Sequence, residues 1–522
     1  MIELERQAPG TWRNYHRTQE RADATRFAFR GLPDGQPLID QLRRTATLLG
    51  NLISEALASG GRVVPLGSAW SFSDLVRPDG WLLETGGLAI GPAPSSEGIA
   101  DHLVLMSAGT RIRELNRYLE PVLSLETSGA HDGQTIGGAL GTGTHGSALG
   151  RGAIQNQVRG LHIVTAPGRS VWLERGPAPL LDPAVAAVLA DEAIVDPAAF
   201  DAALVHLGGM GLVNAVMIGA RAGFSVDLVR RERALDAAAI DLLQAGRFAD
   251  FAEPSWPTGG EMPYYAEVIL DPYRPWAERS PGVPRPALIT LLYERPPLAT
   301  APAMAAPEPM PAIDALNLLA RGLEGPQAAA IELLPPAWIV PEIVALQFRQ
   351  EPKGGAAPRR LTWGQANGAH EPLPLGLQLY NAAFALPRER LREALDIMLD
   401  AFLLDGGGHV VFTLRFVSHA AGALAFTRFA ETVVVNMDGL RTGASREAGR
   451  RVALALETGG VPYSQHWAKM GAITPTRFRR DFGDPADPAT PAGRWRAMRH
   501  RLLTPEVRAV VGSQSLAAWG VA

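Results

Sequence analysis

The chain has 522 residues, 47% hydrophobic and 20% charged, with a net charge of −4, which fits a folded protein of roughly two to four domains and excludes a disordered one. No basic stripe points to nucleic acid, and no apolar run reaches the length a bilayer requires. Cysteine is absent, which excludes disulfides, thiolate nucleophiles, Cys-ligated zinc, iron–sulfur clusters and a cysteinyl cofactor link.

The opening MIELER has no basic segment followed by an apolar core, so a soluble, cytoplasmic protein is expected. Residues 38–60 carry apolar positions at helical spacing and stop at Gly60-Gly61. RVVPLG (62–67) reads as a strand leading into the polar turn SAWSFSD, and WLLETGGL and HLVLMSAG read as further strands closed by glycine. TRIRELNRYLEP is a helix pattern ending at Pro121. A glycine-rich segment follows, then two strands around the Pro-Gly turn of VRGLHIVTAPGRSVWLE. DPAAFDAALVHLGG predicts a helix with Asp196 as N-cap and Pro197 at its first position, and LVNAVMIGARAG a closing strand.

From about residue 226 strand-like runs (YYAEVIL, ALITLLY, LGLQLYNAAFAL, HVVFTLRFV, ETVVVNMD) alternate with helices such as PRERLREALDIMLDAF. The Ala/Pro-rich stretch 296–312 reads as a surface loop or linker. The 49 basic residues include only two lysines, Lys353 and Lys469. A lysine that persists where arginine is so strongly preferred can have a specific task, although Lys353, in the loop-like EPKGGAAP, shows no evident one.

GTGTHG, residues 141–146, matches G-x-G-x-x-G. A nicotinamide site needs a helix opening on the third glycine and an acid about 20 residues later. Here SALGRGAIQNQ follows with no amphipathic period, and the first acid is Glu174, so that reading fails. The glycines are still dense: Gly133, Gly137, Gly138, Gly141, Gly143 and Gly146 are interleaved with Thr135, Thr142 and Thr144. Such backbone can approach phosphate oxygens closely, or can simply form a structural turn.

Three stretches taken together resemble one family. PLGSAWSFSD (65–74), TIGGALGTGTHGS (135–147) and LVHLGGMGLVNAVMIGA (204–220) are similar to the FAD-binding half of the vanillyl-alcohol-oxidase (PCMH-type) flavoproteins. Within it the aldonolactone and alditol oxidase branch is nearest, through Trp12-Arg13-Asn14-Tyr15 and His466-Trp467-Ala468-Lys469. The resemblance implies an α+β fold in two domains. A PCMH-type FAD-binding domain covers 1–225, a sheet-and-helix cap that roofs the substrate covers 226–455, and a C-terminal segment, 456–522, returns to the first.

It also implies FAD-binding residues Pro65, Leu66, Gly67, Ser68, Ala69, Trp70, Ser71, Gly129, Thr135, Gly138, Thr142, Gly143, Thr144, His145, Gly146 and Val213. Many relatives carry, where Trp70 stands, a histidine joined to the flavin, so the FAD implied here is non-covalent. Gly129 leans toward oxidase behaviour, since alanine there is associated in the family with hindered oxygen access. Lys469, with His466 supporting it, takes the place of the lysine that stabilises the reduced flavin. Arg415 matches the arginine of a Glu-x-Arg pair in the cap. Thr413 holds the glutamate's position and cannot act as a base, and Ala130 replaces a serine that contacts polyols. Both departures weigh against a polyol or sugar-lactone substrate. Replacement bases to consider are His419, His409, Glu267 and Glu431; the adjacent pair His131-Asp132 is a weak dyad.

The reading is therefore an FAD-dependent oxidase taking hydride from a CH–OH carbon of a small molecule, with oxygen as acceptor and no metal, membrane or nucleic acid. Rivals are a dehydrogenase using another acceptor, a flavoenzyme of secondary metabolism oxidising or decarboxylating a less polar substrate, and a non-catalytic FAD protein.

Overall fold

A computed structural model describes residues 2–31, 35–73, 75, 80–87, 102–280, 282–299, 330–350, 357–367, 378–471 and 473–522. Lys353 and positions 300–312 of the Ala/Pro-rich stretch lie outside the described residues.

Two larger sheets frame the first half. Strands β1 (Glu3–Arg6) and β2 (Arg26–Arg30) precede helix α1 (Leu38–Ser59), which ends on Gly60 in the left-handed region at φ 68°. The strands β3 (Val63–Leu66) and β4 (Trp81–Glu84) complete a sheet of order β1-β2-β4-β3, parallel except at β1. Next come β5 (Leu103–Ser107), α2 (Ile112–Leu119), α3 (Ile136–Gly141), β6 (Val158–Ala166), β7 (Arg169–Glu174), β8 (Glu192–Val195), α4 (Pro197–Leu204) and β9 (Leu212–Gly219). Their strands form a second sheet ordered β8-β7-β6-β9-β5. Asp196 caps α4 as its sequence predicts, accepting from the N–H groups of Ala198 and Ala199.

Two short two-stranded sheets pair Gly10–Arg13 with Glu20–Ala24 and Leu123–Ser124 with Arg221–Ala222, and eight further strands form one antiparallel sheet. They are β10 (Ser225–Arg233), β11 (Tyr265–Leu270), β12 (Ala287–Arg295), β13 (Arg359–Thr362), β14 (Leu379–Pro387), β15 (Val410–Ser418), β16 (Glu431–Leu440) and β17 (Ser464–Gln465). Their order is β13-β10-β12-β11-β15-β16-β14-β17. Helices α5 (Leu391–Leu403) and α6 (Gly443–Thr458) pack on this sheet. In α5, Leu391, Ala394, Leu395, Met398, Leu399 and Phe402 are buried at spacings of one helical face.

Side chains alternate between the faces of a strand. On β15 that puts Thr413 and Arg415 together, and on β16 Asn436 and Asp438. The register pairs Glu267 with Arg415, Thr413 with Asn436, and Asn381 with Asp438. One face of the cap sheet is therefore polar, though buried. Buried polar groups cost free energy unless paired, so this face marks where function overrides the apolar core. The helix α7 (Pro491–Leu502) and the tail return to the first half, where Trp495, Leu502 and Leu516 share a core with Leu105, Trp172 and Met217.

Candidate active site

The first loop leaves β3 and curls at Ala69, whose φ of 53° is left-handed. Neighbours fasten it. Asn14 Nδ2 donates to the Ser71 carbonyl at 2.8 Å, Ser68 Oγ donates to Gly133 O at 2.7 Å, and the Tyr15 ring stacks on Trp70 at 3.9 Å. The second loop runs through the short helix α3. Thr135 caps it, accepting from Gly138 N at 3.3 Å. A Cβ at Gly67 would run into Thr135 Oγ1, and one at Gly137 would stand 3.0 Å from Ala108 O. Glycine here is a requirement of two backbones passing close together.

GTGTHG begins on the last residue of α3 and continues as turn, not as the start of a helix. Glu174, the acid a ribose would need, accepts from Trp172 Nε1 and from the N–H groups of Leu180 and Leu181. It is fully engaged in the structure around it.

These loops wall one cleft, whose ≈ 1490 Å³ of empty space includes open solvent. Pro65 to Ser71, Gly129, Thr135, Gly138, Thr142, Thr144, His145 and Val213 line it, together with Arg415, His466 and Lys469. Gly143 and Gly146 do not. Gly143, at φ 72°, faces Phe426 and Gln155, and Gly146 backs onto Ser128 O, so both shape the loop from behind the wall.

At the cap end Arg415 Nε donates to Glu267 Oε2 at 2.7 Å, and Tyr265 OH donates to the same oxygen at 3.2 Å. Burial works against the guanidinium charge, but Glu267 overrides it and raises the Arg415 pKa above its ordinary value. Lys469 Nζ donates to Asn436 Oδ1 at 2.7 Å. Desolvation brings its ammonium down to about 7, with Arg415 pushing the same way and Asp438 and Glu267 opposing. His466 and His145 have ring centroids 5.8 Å apart. Burial, with Lys469 adding to it, holds both well below the ordinary histidine range, so at neutral pH they are uncharged.

None of His419, His409, Glu267 and Glu431 lines the cleft. His409 is bonded to Thr442 Oγ1 and Leu334 O, His419 to Arg428 O, and Glu431 pairs with Arg388 at 2.9 Å. His131 lines the wall but Asp132 does not. Among the described residues the one carboxylate on the wall is Asp438, which the sequence reading missed. The signal was present: Asn436 and Asp438 are two polar residues at strand spacing in the otherwise apolar VVVNMD. Asn381, Gln134 and Ser513 line the cleft and were missed as well. A cradle of glycines that admits no Cβ at Gly67 or Gly137, interleaved with threonines, suits close approach of backbone to a large phosphate-bearing ligand, as FAD is.

Comparisons with known proteins agree. Residues 44–174 match the family described as FAD binding domain. A D-arabinono-1,4-lactone oxidase of Debaryomyces hansenii is 32% identical over 139 residues, 24% of this chain and 25% of that one. An L-gulono-1,4-lactone dehydrogenase of Mycobacterium tuberculosis is 32% identical over 130 residues, 24% of this chain and 29% of that one. The match thus spans under a third of these relatives. A crystal structure of cholesterol oxidase from B. sterolicum superposes with a TM-score of 0.70 at 14% identity, covering 99% of this chain and 97% of the other. A solvent-stable cholesterol oxidase gives 0.69 at 15%, covering 99% and 98%. Residues 44–174 thus match an FAD binding domain, in a chain whose α+β fold is that of the cholesterol oxidase structures.

Proposed function

We propose that the chain is an FAD-dependent oxidoreductase that holds its cofactor without a covalent bond and oxidises a CH–OH carbon of a small molecule, with molecular oxygen as acceptor. The observation that carries this is the meeting of Lys469, Arg415 and Asp438 on the wall of the cleft that the glycine loops of the FAD binding domain line. Bound FAD supplies a hydride acceptor at N5 and gathers negative charge near N1 and C2=O when reduced.

The residues divide the remaining work. Pro65 to Ser71, Thr135, Gly138, Thr142, Thr144, His145 and Val213 hold the cofactor, and Gly143 and Gly146 set the loop. Trp70 packs an aromatic face, backed by Tyr15, where a covalent link would need a nucleophile. Lys469, fixed by Asn436, sets a cation where negative charge develops, so its contribution is largest after hydride has moved. Arg415, fixed by Glu267, orients the substrate oxygen. Asp438 receives the hydroxyl proton as general base, a task His466 and Thr413 do not share. Gly129 keeps the wall beside Thr144 small, which favours oxygen access. The division of the chain at about 225 and 456 is supported by the two largest cores, although Tyr264 and Phe426 join the first and Phe72 and Tyr463 the second.

The dehydrogenase reading has one observation behind it, the relative of that name. Anaerobic mixing of the FAD-loaded protein with L-gulono-1,4-lactone, D-arabinono-1,4-lactone and cholesterol tests the reading, because the relatives and the fold suggest these three. Loss of flavin absorption with one of them, and its return on admitting air, is the expected result. Bleaching that only a quinone or dye reverses would make it a dehydrogenase. Absence of bleaching with every carbinol offered counts against carbinol oxidation.

A further inference from the structure

The segment that follows GTGTHG leaves the cofactor loops and enters the cap sheet. Ala148 forms an antiparallel bridge with Tyr265, Ala266 N donates to Ser147 O at 3.2 Å, and Leu149 N donates to Tyr264 O at 2.8 Å. On the other side Ser418 N donates to Arg151 O at 2.9 Å. Residues 147–151 are thus wedged between the ends of β11 and β15. The ladder of those two strands runs from Leu270 opposite Phe412 to Glu267 opposite Arg415, and stops there. Carried one residue further it would set Ala266 opposite Phe416, and opposed residues of an antiparallel pair can exchange their own N–H···O bonds.

Ser147 takes that rung. Its Oγ donates to Ala266 O and accepts from Phe416 N at 2.7 Å, and the residue is fully buried. The hydroxyl therefore spaces the strands next to their last rung, the pair of Glu267 and Arg415. His145, two residues before Ser147, lines the cleft, as Arg415 does; Ser147 itself does not. One hydroxyl thus ties the cofactor loop to the ion pair that fixes Arg415. Buried backbone groups that lose a partner cost free energy. Without the hydroxyl, Ala266 and Phe416 must close on each other, draw in water or stay unpaired, and each outcome moves or loosens β15 relative to the loop.

We infer that Ser147 is a positioning residue, whose hydroxyl sets Arg415 and its partner Glu267 against the glycine loop. For its effect on the reaction, the inference rests on Arg415 orienting the substrate oxygen. Two double-mutant cycles test it. The first follows the denaturation midpoint of the purified protein in Ser147→Ala, Glu267→Gln and the double variant. The loss caused by Glu267→Gln is expected to shrink in the Ser147→Ala background, where the pair is already misplaced. The second follows anaerobic flavin reduction in the FAD-loaded protein. Ser147→Ala is expected to slow it about 10- to 10²-fold, the scale of a misplacement near 1 Å, and by less than about twofold in an Arg415→Met background. Additive losses in the first cycle overturn the inference, because a merely structural serine gives them. Equal slowing in both backgrounds of the second, or a parent-like rate in Ser147→Ala, overturns it too. A parent protein that no carbinol reduces counts against the proposed reaction, and the first cycle then decides on Ser147 alone. Should Ser147→Ala fail to fold, Ser147→Cys, which keeps a weak donor and acceptor on a longer bond, takes its place in both cycles with the same outcomes.

Discussion

Lys469 illustrates how much one position can carry. Its ammonium is brought to about 7 by desolvation, so without a bound anion it is cationic below that pH and neutral above. A cation needed opposite reduced flavin is therefore lost as pH rises, and flavin reduction should fall on the alkaline side of its profile. Lys469→Arg, charged at all working pH values, should flatten that alkaline limb. Lys469→Met should keep FAD bound and slow reduction by about 10²–10³-fold, the usual worth of one group that stabilises developing charge. Stopped-flow bleaching across pH checks both, and an alkaline limb that survives in Lys469→Arg would assign it to another group. Asp438→Asn should retain FAD and its spectrum while reduction drops by about 10²–10⁴-fold. A drop confined to KM would make Asp438 a binding group and not a base.

The elements explain why these side chains meet. Glu267 and Arg415 are cross-strand partners on β11 and β15, both nearly out of water, at 2.7 Å. Removing one partner strands the other's charge in the interior. Glu267→Ala should therefore cost about 3–5 kcal/mol of stability, read as a lowered denaturation midpoint, and a variant as stable as the parent would show that water reaches the pair. In the cradle, Gly67→Ala should push Thr135 off its cap on α3 and lower FAD affinity, and unchanged affinity would mean the two loops can separate. Local pattern made much of this legible. Strand alternation, the Asp196-Pro197 cap and glycine density all act within a few residues, so the sequence shows them directly. Asp438 was harder, because its place depends on a register: β16 sets it opposite Asn381 on β14, a pairing no local signal encodes. Ser513 was hidden for a similar reason. The glycine loops it joins on the wall lie far upstream, and the tail's ties to Val63 and Gly209 bring it there. Gly143 and Gly146 belong to the same motif, yet neither lines the cleft, and a Cβ at either would meet Phe426 or Ser128 O.

On the scale of the whole molecule, three parts of the chain converge on one cleft: the glycine loops, one face of the cap sheet, and the tail. Sequence likeness to the curated relatives is confined to about a quarter to a third of this chain, whereas the fold of the cholesterol oxidase structures extends over 99% of it. The cofactor half is thus held by motif, and the cap by shape with its own set of polar residues. That difference is why the cofactor reads more clearly than the substrate. Trp70 lies on the wall with Tyr15 stacked behind it, and the proposed non-covalent FAD rests on that position. The measurement that tests this account most directly is the visible spectrum of the purified protein, repeated on the supernatant after acid precipitation. FAD bands that pass wholly into the supernatant are the result the account predicts. Flavin that stays in the pellet would contradict the non-covalent cleft, and a colourless protein that cannot be reconstituted with FAD would contradict the account as a whole.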